Sequence, residues 1–190
     1  MITFMYKICV TNRHLVKGDY SEQIKKVVNT DISALMLREK DLDEDTYKKL
    51  SLEVMKVCEN AGVDLIINKF INVADELGVK RIHLPFQDFK TRVASNNIDT
   101  KKYILGTSTH SVEDAIYANN NGASYITAGH IFATDCKKGL EPRGLVFLSN
   151  ICNAVDIPVY AIGGINKNNM QACIDSGADG VRIMSGYMTL

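Results

Sequence analysis

The chain has 190 residues, 46% of them hydrophobic, with 22 basic and 22 acidic side chains. That is enough apolar material for one domain with a buried core, and a formal charge of zero gives no electrostatic reason to expect nucleic acid or an anionic membrane as partner. The N-terminus lacks the basic start and long apolar run of a signal peptide, no stretch approaches a membrane span, and five cysteines without a CxxC spacing fit reduced thiols in a cytoplasmic protein.

Taken in chain order, apolar runs predict strands near 6–10, 32–38, 64–67, 81–84, 103–106, 124–128, 158–161 and 180–183. Helices are expected near 21–29, 43–60, 71–77, 88–95, 111–121, 145–153 and 167–176, with a short last turn after Met184. Asp43 with Thr46 nearby reads as a helix start, as does Ser111 ahead of Glu113 and Asp114. Four helical segments end in Gly62, Gly78, Gly122 and Gly177, each shortly before an apolar run. Glycine tolerates the left-handed conformation that closes a helix, so the repeated pattern is the helix-to-strand connection of a parallel sheet. Eight strand-then-helix units without a hairpin signal predict an α/β fold, a (β/α)8 TIM barrel made by a single domain over residues 1–190. About 24 residues per unit is lean for this fold. The rival is an open doubly wound sheet with a Gly-rich first turn, and Thr11-Asn12-Arg13-His14 is not such a turn.

In a barrel the residues after each strand converge on one mouth. Here they are mostly polar, small or ionisable: Asn12 and Arg13; Arg38, Glu39 and Lys40; Asn68 and Lys69; Gln87 and Asp88; Ser108 and His110; His130; Gly163 and Gly164; Ser185 and Gly186. The last two strand ends, Gly163-Gly164 and Met184-Ser185-Gly186, suit phosphate. Paired glycines let an anion approach backbone N–H groups, and a short helix N-terminus adds a favourable dipole. The plainer reading is that Gly163-Gly164 only makes a tight turn before a helix near Lys167. Arg38, Lys40, Lys69, Lys137, Lys138 and Arg143 are basic candidates for anionic substrate groups, or ordinary solvated surface.

His130 directly follows the run Tyr125-Ile126-Thr127-Ala128-Gly129, where a proton shuttle working at neutral pH would stand. His83 lies inside an apolar strand and reads as structural. Cys136 is a nucleophile candidate with no adjacent base implied.

Several segments resemble one family, the thiamine-phosphate synthases and their TenI-type relatives. They are Leu37-Arg38-Glu39-Lys40, Leu65-Ile66-Ile67-Asn68, His83-Leu84-Pro85, Gly106 through Ser111, Gly122 through Tyr125, Pro158 through Ile165, and Gly177 through Val181. The resemblance covers nearly the whole chain and has two branches. Synthases couple a pyrimidine pyrophosphate to a thiazole phosphate, with Mg2+ on carboxylates that include an Asn-Asp pair after strand three. Here that pair reads Asn68-Lys69, and Asp88 is the one acidic metal candidate left, relevant only to the synthase alternative. Synthases also tend to read Gly-Pro after strand six, and to carry Gln where Met36 stands. The run Gly129-His130-Ile131-Phe132-Ala133-Thr134-Asp135-Cys136-Lys137-Lys138-Gly139-Leu140 resembles the TenI-type thiazole tautomerases instead.

The resemblance therefore implies an isomerase of thiamine biosynthesis that aromatises a thiazole carboxylate phosphate by a proton shift. It needs no cofactor or metal, and His130 is its acid/base residue. Arg38, Lys40, Asn68, Ser108, Lys137, Gly163, Gly164, Met184, Ser185 and Gly186 are the expected substrate and phosphate contacts. The partner is a small-molecule thiazole phosphate, with no nucleic acid and no membrane, and a homodimer is left open. The alternatives are the Mg2+-dependent synthase and a non-catalytic regulator or thiazole-phosphate-binding relative. No helix-turn-helix segment is left over outside the expected barrel to bind DNA.

Overall fold

The computed structural model describes residues 5–134 and 139–190. Cys136, Lys137 and Lys138 lie outside the described residues. The strands are β1 (Tyr6–Val10), β2 (Ala34–Leu37), β3 (Asp64–Asn68), β4 (Arg81–Leu84), β5 (Ile104–Thr109), β6 (Tyr125–Gly129), β7 (Val159–Ile162) and β8 (Gly180–Ile183). The helices are α1 (Tyr20–Val28), α2 (Glu44–Ala61), α3 (Ile71–Leu77), α4 (Phe86–Ala94), α5 (Val112–Asn120), α6 (Gly144–Cys152), α7 (Met170–Asp175) and α8 (Ser185–Met188), with a 3-10 turn at Arg13–Leu15. The strands follow chain order in a closed parallel barrel, which is the (β/α)8 fold. Among the described residues no helix is long and apolar enough to cross a membrane.

Helix α2 shows how local chemistry sets an element. The Asp43 side chain accepts from Thr46 N at 2.8 Å, capping the start. Tyr47, Ser51, Val54 and Cys58 recur at helical spacing and form its buried face. Gly62 then takes φ 67°, and its neighbour Val63 N donates to Cys58 O at 3.0 Å.

The contacts divide the chain into two compact units. One comprises residues 5–6 and His83–Arg182, the other Lys7–Ile82 and Ile183–Leu190. Within the second, β1 pairs with β2 (Cys9 opposite Leu35) and β2 with β3 (Met36 opposite Ile66). All four residues of β2 are buried, as a strand covered on both faces requires.

Within the first unit, β5 pairs with β6, β6 with β7, and β7 with β8. The Tyr125 ring stacks beside His83 at 5.8 Å and meets Tyr160 at 5.4 Å, and Tyr160 stacks on Tyr6 at 5.4 Å. The fully buried Arg182 places its guanidinium 5.2 Å from the Tyr125 ring and 5.8 Å from Tyr160. Aromatic faces offset part of the cost of burying that charge. Gly106 makes room for the Tyr125 ring, since a Cβ there would lie 2.0 Å from it.

Two expectations are corrected. Strand five extends to Thr109, so Ser108 lies within β5 instead of in a loop after it. The reason is that Thr107 donates its hydroxyl to Leu84 O and Thr109 to Thr127 O, so polar side chains are satisfied inside the sheet. Helix seven starts at Met170 instead of near Lys167. Asn166 accepts from Asn168 N, and Asn169 accepts from Asn166 N, and these turns hold residues 166–169 out of the helix.

A Cβ on Gly180 would stand 2.0 Å from Tyr6 O, a backbone atom that cannot swing aside. Gly180→Ala is expected to destabilise the fold by about 3 kcal/mol in urea titration. An unchanged midpoint would show that this strand contact yields easily.

Candidate active site

In the first unit the end of β6 meets the loop after β7. Ile131 N donates to Ile162 O at 2.9 Å, and Phe132 N to Gly163 O at 2.9 Å. A Cβ on Gly163 would lie 2.5 Å from His130 Cβ, and one on Gly164 would lie 2.3 Å from Ala133 O. Both glycines also have positive φ, 107° and 64°. Close approach of the His130–Ala133 segment is therefore sufficient reason for the glycine pair. The helix after these glycines, α7, begins only at Met170, whereas the short helix expected after β8 is present as α8.

His130 is 6% exposed. Its backbone is fixed on both sides, with Arg143 N donating to His130 O at 3.0 Å and Gly144 N to Ile131 O at 3.0 Å. The ring Nε2 lies 3.4 Å from Leu140 O, and the buried Nδ1 has no hydrogen-bond partner. This is an imidazole held in place mainly by its backbone, with one buried ring nitrogen that makes no hydrogen bond.

The same unit pairs His83 with Ser108, Nε2 to Oγ, at 2.8 Å. His83, read as structural, thus holds by one hydrogen bond the hydroxyl of a residue expected to bind substrate. Asp88 lies half-buried in the first turn of α4.

In the second unit, Arg38 and Lys40 flank Glu39 after β2, with Arg38 half-buried and Lys40 exposed. The buried Glu39 carboxylate accepts from Thr11 Oγ1 at 2.7 Å, Tyr20 OH at 3.2 Å, and Arg13 N at 3.1 Å and 3.2 Å. Thr11 Oγ1 in turn accepts from Arg38 N at 2.9 Å. One buried acceptor-only group thereby ties the chain after β1 to the chain after β2 and fixes the backbone that carries Arg38 and Lys40. Sequence reasoning placed Glu39 at the rim without assigning it a role; the signal was an acid between two bases directly after a wholly apolar strand. Asn68 closes β3, and its N–H donates to Tyr47 OH at 3.0 Å. Met184 is the N-cap of the four-residue α8, whose first two residues, Ser185 and Gly186, are exposed.

No described cysteine is activated. Burial pushes the Cys58 thiol up to about 12 and the Cys152 and Cys173 thiols up to about 11.

Comparison with known proteins places this geometry. The profile of the family described as thiamine monophosphate synthase matches residues 7–187. The chain belongs to that family. A thiamine-phosphate synthase of Clostridium acetobutylicum is 33% identical over 186 residues, covering 97% of this chain and 88% of the relative. A putative thiamine-phosphate synthase 2 of Aquifex aeolicus is 32% identical over 179 residues, covering 94% and 95%. Among solved structures, a thiamine phosphate pyrophosphorylase from Pyrococcus furiosus superimposes with TM-score 0.84 and 27% identity, over 97% of this chain and 87% of that one.

The resemblance to the synthase branch implies Mg2+ on carboxylates, and Lys69 stands where one of those carboxylates is expected. The exposed Lys69 follows Asn68 at the end of β3, its ammonium 5.4 Å from the Phe70 ring centroid. Mg2+ favours several oxygen ligands, and an ammonium supplies none.

The Asp41 carboxylate closes the second unit's loop network. It accepts from Arg13 Nη1 at 2.6 Å and contacts His14 Nε2 at 3.0 Å. The Arg13 hydrogen bond, chiefly, holds the Asp41 carboxyl well below its usual range. A depressed carboxyl contributes stability above its unfolded pKa and loses it as pH falls through the folded one. Asp41→Asn should therefore flatten the fall in urea midpoint between about pH 4 and pH 2 at low salt. Parallel wild-type and mutant curves would remove Asp41 from acid unfolding.

Proposed function

We propose that this protein is an isomerase of the thiazole tautomerase type, acting on a thiazole carboxylate phosphate. The observation that carries the reading is the buried imidazole of His130 at the end of β6, where the synthases it resembles tend to place proline. The reaction moves one proton off ring C2 and delivers one to the exocyclic carbon, as the exocyclic double bond gives way to an aromatic ring. Electrons and atoms balance without a redox partner, and the proposal includes no metal or cofactor. One amphoteric group suffices, and imidazole is suited to neutral pH. His130 supports the reading because its backbone is pinned while Nδ1 makes no hydrogen bond within the protein.

Gly163 and Gly164 supply main-chain amides for the phosphate in this reading, with Met184, Ser185 and Gly186 as the further phosphate candidates. Arg38, Lys40 and Lys137 are the cationic contacts for anionic groups, and Asn68 and Ser108 the neutral ones. The substrate is a small molecule, and neither nucleic acid nor membrane enters the proposal.

The second reading is thiamine-phosphate synthase, favoured by the names of the relatives at 32–33% identity. The exposed Lys69 ammonium weighs against it. Assaying both reactions separates the two. The purified protein should convert the thiazole tautomer, followed by absorbance, with EDTA present. His130→Asn should lower kcat by about 10²–10⁴-fold and leave product affinity within a few-fold. Full turnover in that variant would remove His130 from the mechanism. Robust EDTA-sensitive coupling of pyrimidine pyrophosphate and thiazole phosphate would establish the synthase instead.

A further inference from the structure

Strand β6 holds a hydroxyl that the fold leaves unused. Thr127 is 2% exposed, and its Oγ1 has no hydrogen-bond partner. A buried hydroxyl without a partner costs about 1–3 kcal/mol, and valine would fit the same strand position without that cost.

Side chains alternate along a strand, so Thr127 shares a face with Tyr125. That is the face whose rings lie against His83 and Tyr160 and over Gly106, the inner face of this unit's sheet. Thr127 stands one step nearer the strand's C-terminal end than Tyr125. It is in register with Ser108 on β5 and Tyr160 on β7, and the chain reaches His130 immediately after β6. The neighbouring Ser108 hydroxyl is engaged by His83 at 2.8 Å. Two buried polar atoms on this stretch therefore lack partners, Thr127 Oγ1 and His130 Nδ1.

We infer that Thr127 is a ligand-contacting residue whose hydroxyl donates to an acceptor atom of the bound heterocycle. This rests on the thiazole reading above. The acceptor is either the ring or its carboxylate, and ligands with and without the carboxylate tell them apart.

The test is Thr127→Val, measured by calorimetry on the full chain with two probes: the aromatic thiazole carboxylate phosphate, and the same thiazole phosphate without its carboxylate. The variant should melt at or above the wild-type temperature, because an uncompensated polar group has gone. It should bind the carboxylate probe about tenfold more weakly. Weakened binding of both probes assigns the acceptor to the ring; weakened binding of the first alone assigns it to the carboxylate. Thr127→Ser, which keeps the hydroxyl, should recover most of the affinity. Unchanged affinity for both probes in Thr127→Val, or a lowered melting temperature with affinity intact, would overturn the inference while the thiazole reading stands. A wild-type protein that binds neither probe would overturn both.

Discussion

Contact between the chain after β6 and the chain after β7 sets the geometry of the proposed chemistry. The His130–Ala133 backbone runs so close to Gly163 and Gly164 that neither position has room for a Cβ. Two main-chain hydrogen bonds, from Ile131 and Phe132, seal the approach. Arg143 and Gly144 donate to the same segment from the start of α6. An imidazole on such a backbone is positioned before any ligand arrives, so little ordering cost remains for the ligand to meet. The glycines thereby gain a structural reason that precedes any phosphate, and the anion site we propose there would be a second use of a backbone already bare.

The second unit solves the same positioning problem differently. There a carboxylate takes the place of close packing. Glu39 gathers donors from Thr11, Arg13 and Tyr20, and Thr11 passes the constraint on to the Arg38 backbone. Backbone packing and a buried acceptor are alternative ways to hold functional side chains on loops. The first tolerates no added side chain. The second tolerates no loss of acceptors, since an amide in place of the carboxylate would turn an NH2 toward Arg13.

The fold was readable wherever an apolar block is bounded by polar or glycine punctuation. Strands β1 and β8 and helix α3 fall on their expected residues for this reason. The end of β5 was misread because Thr107, Ser108 and Thr109 resemble a loop until the neighbouring strands supply acceptors for their hydroxyls. The start of α7 was misread because its asparagines cap one another locally. His130 was readable as a candidate because it directly follows a strand. The His83–Ser108 pair and the Thr127 hydroxyl were not, because they depend on register between strands. Glu39 was not, because its partners lie 28, 26 and 19 residues away along the chain. Membership of the thiamine monophosphate synthase family was readable from ordered motifs; the branch within it turns on single residues such as Lys69 and His130.

The most direct measurement runs the thiazole tautomer with the protein in D2O and weighs the product by mass spectrometry. The account predicts conversion well above the uncatalysed rate with EDTA without effect, and deuterium in the product only to the extent that the imidazole exchanges with solvent between its two proton transfers. Conversion no faster than in the protein-free control would contradict it.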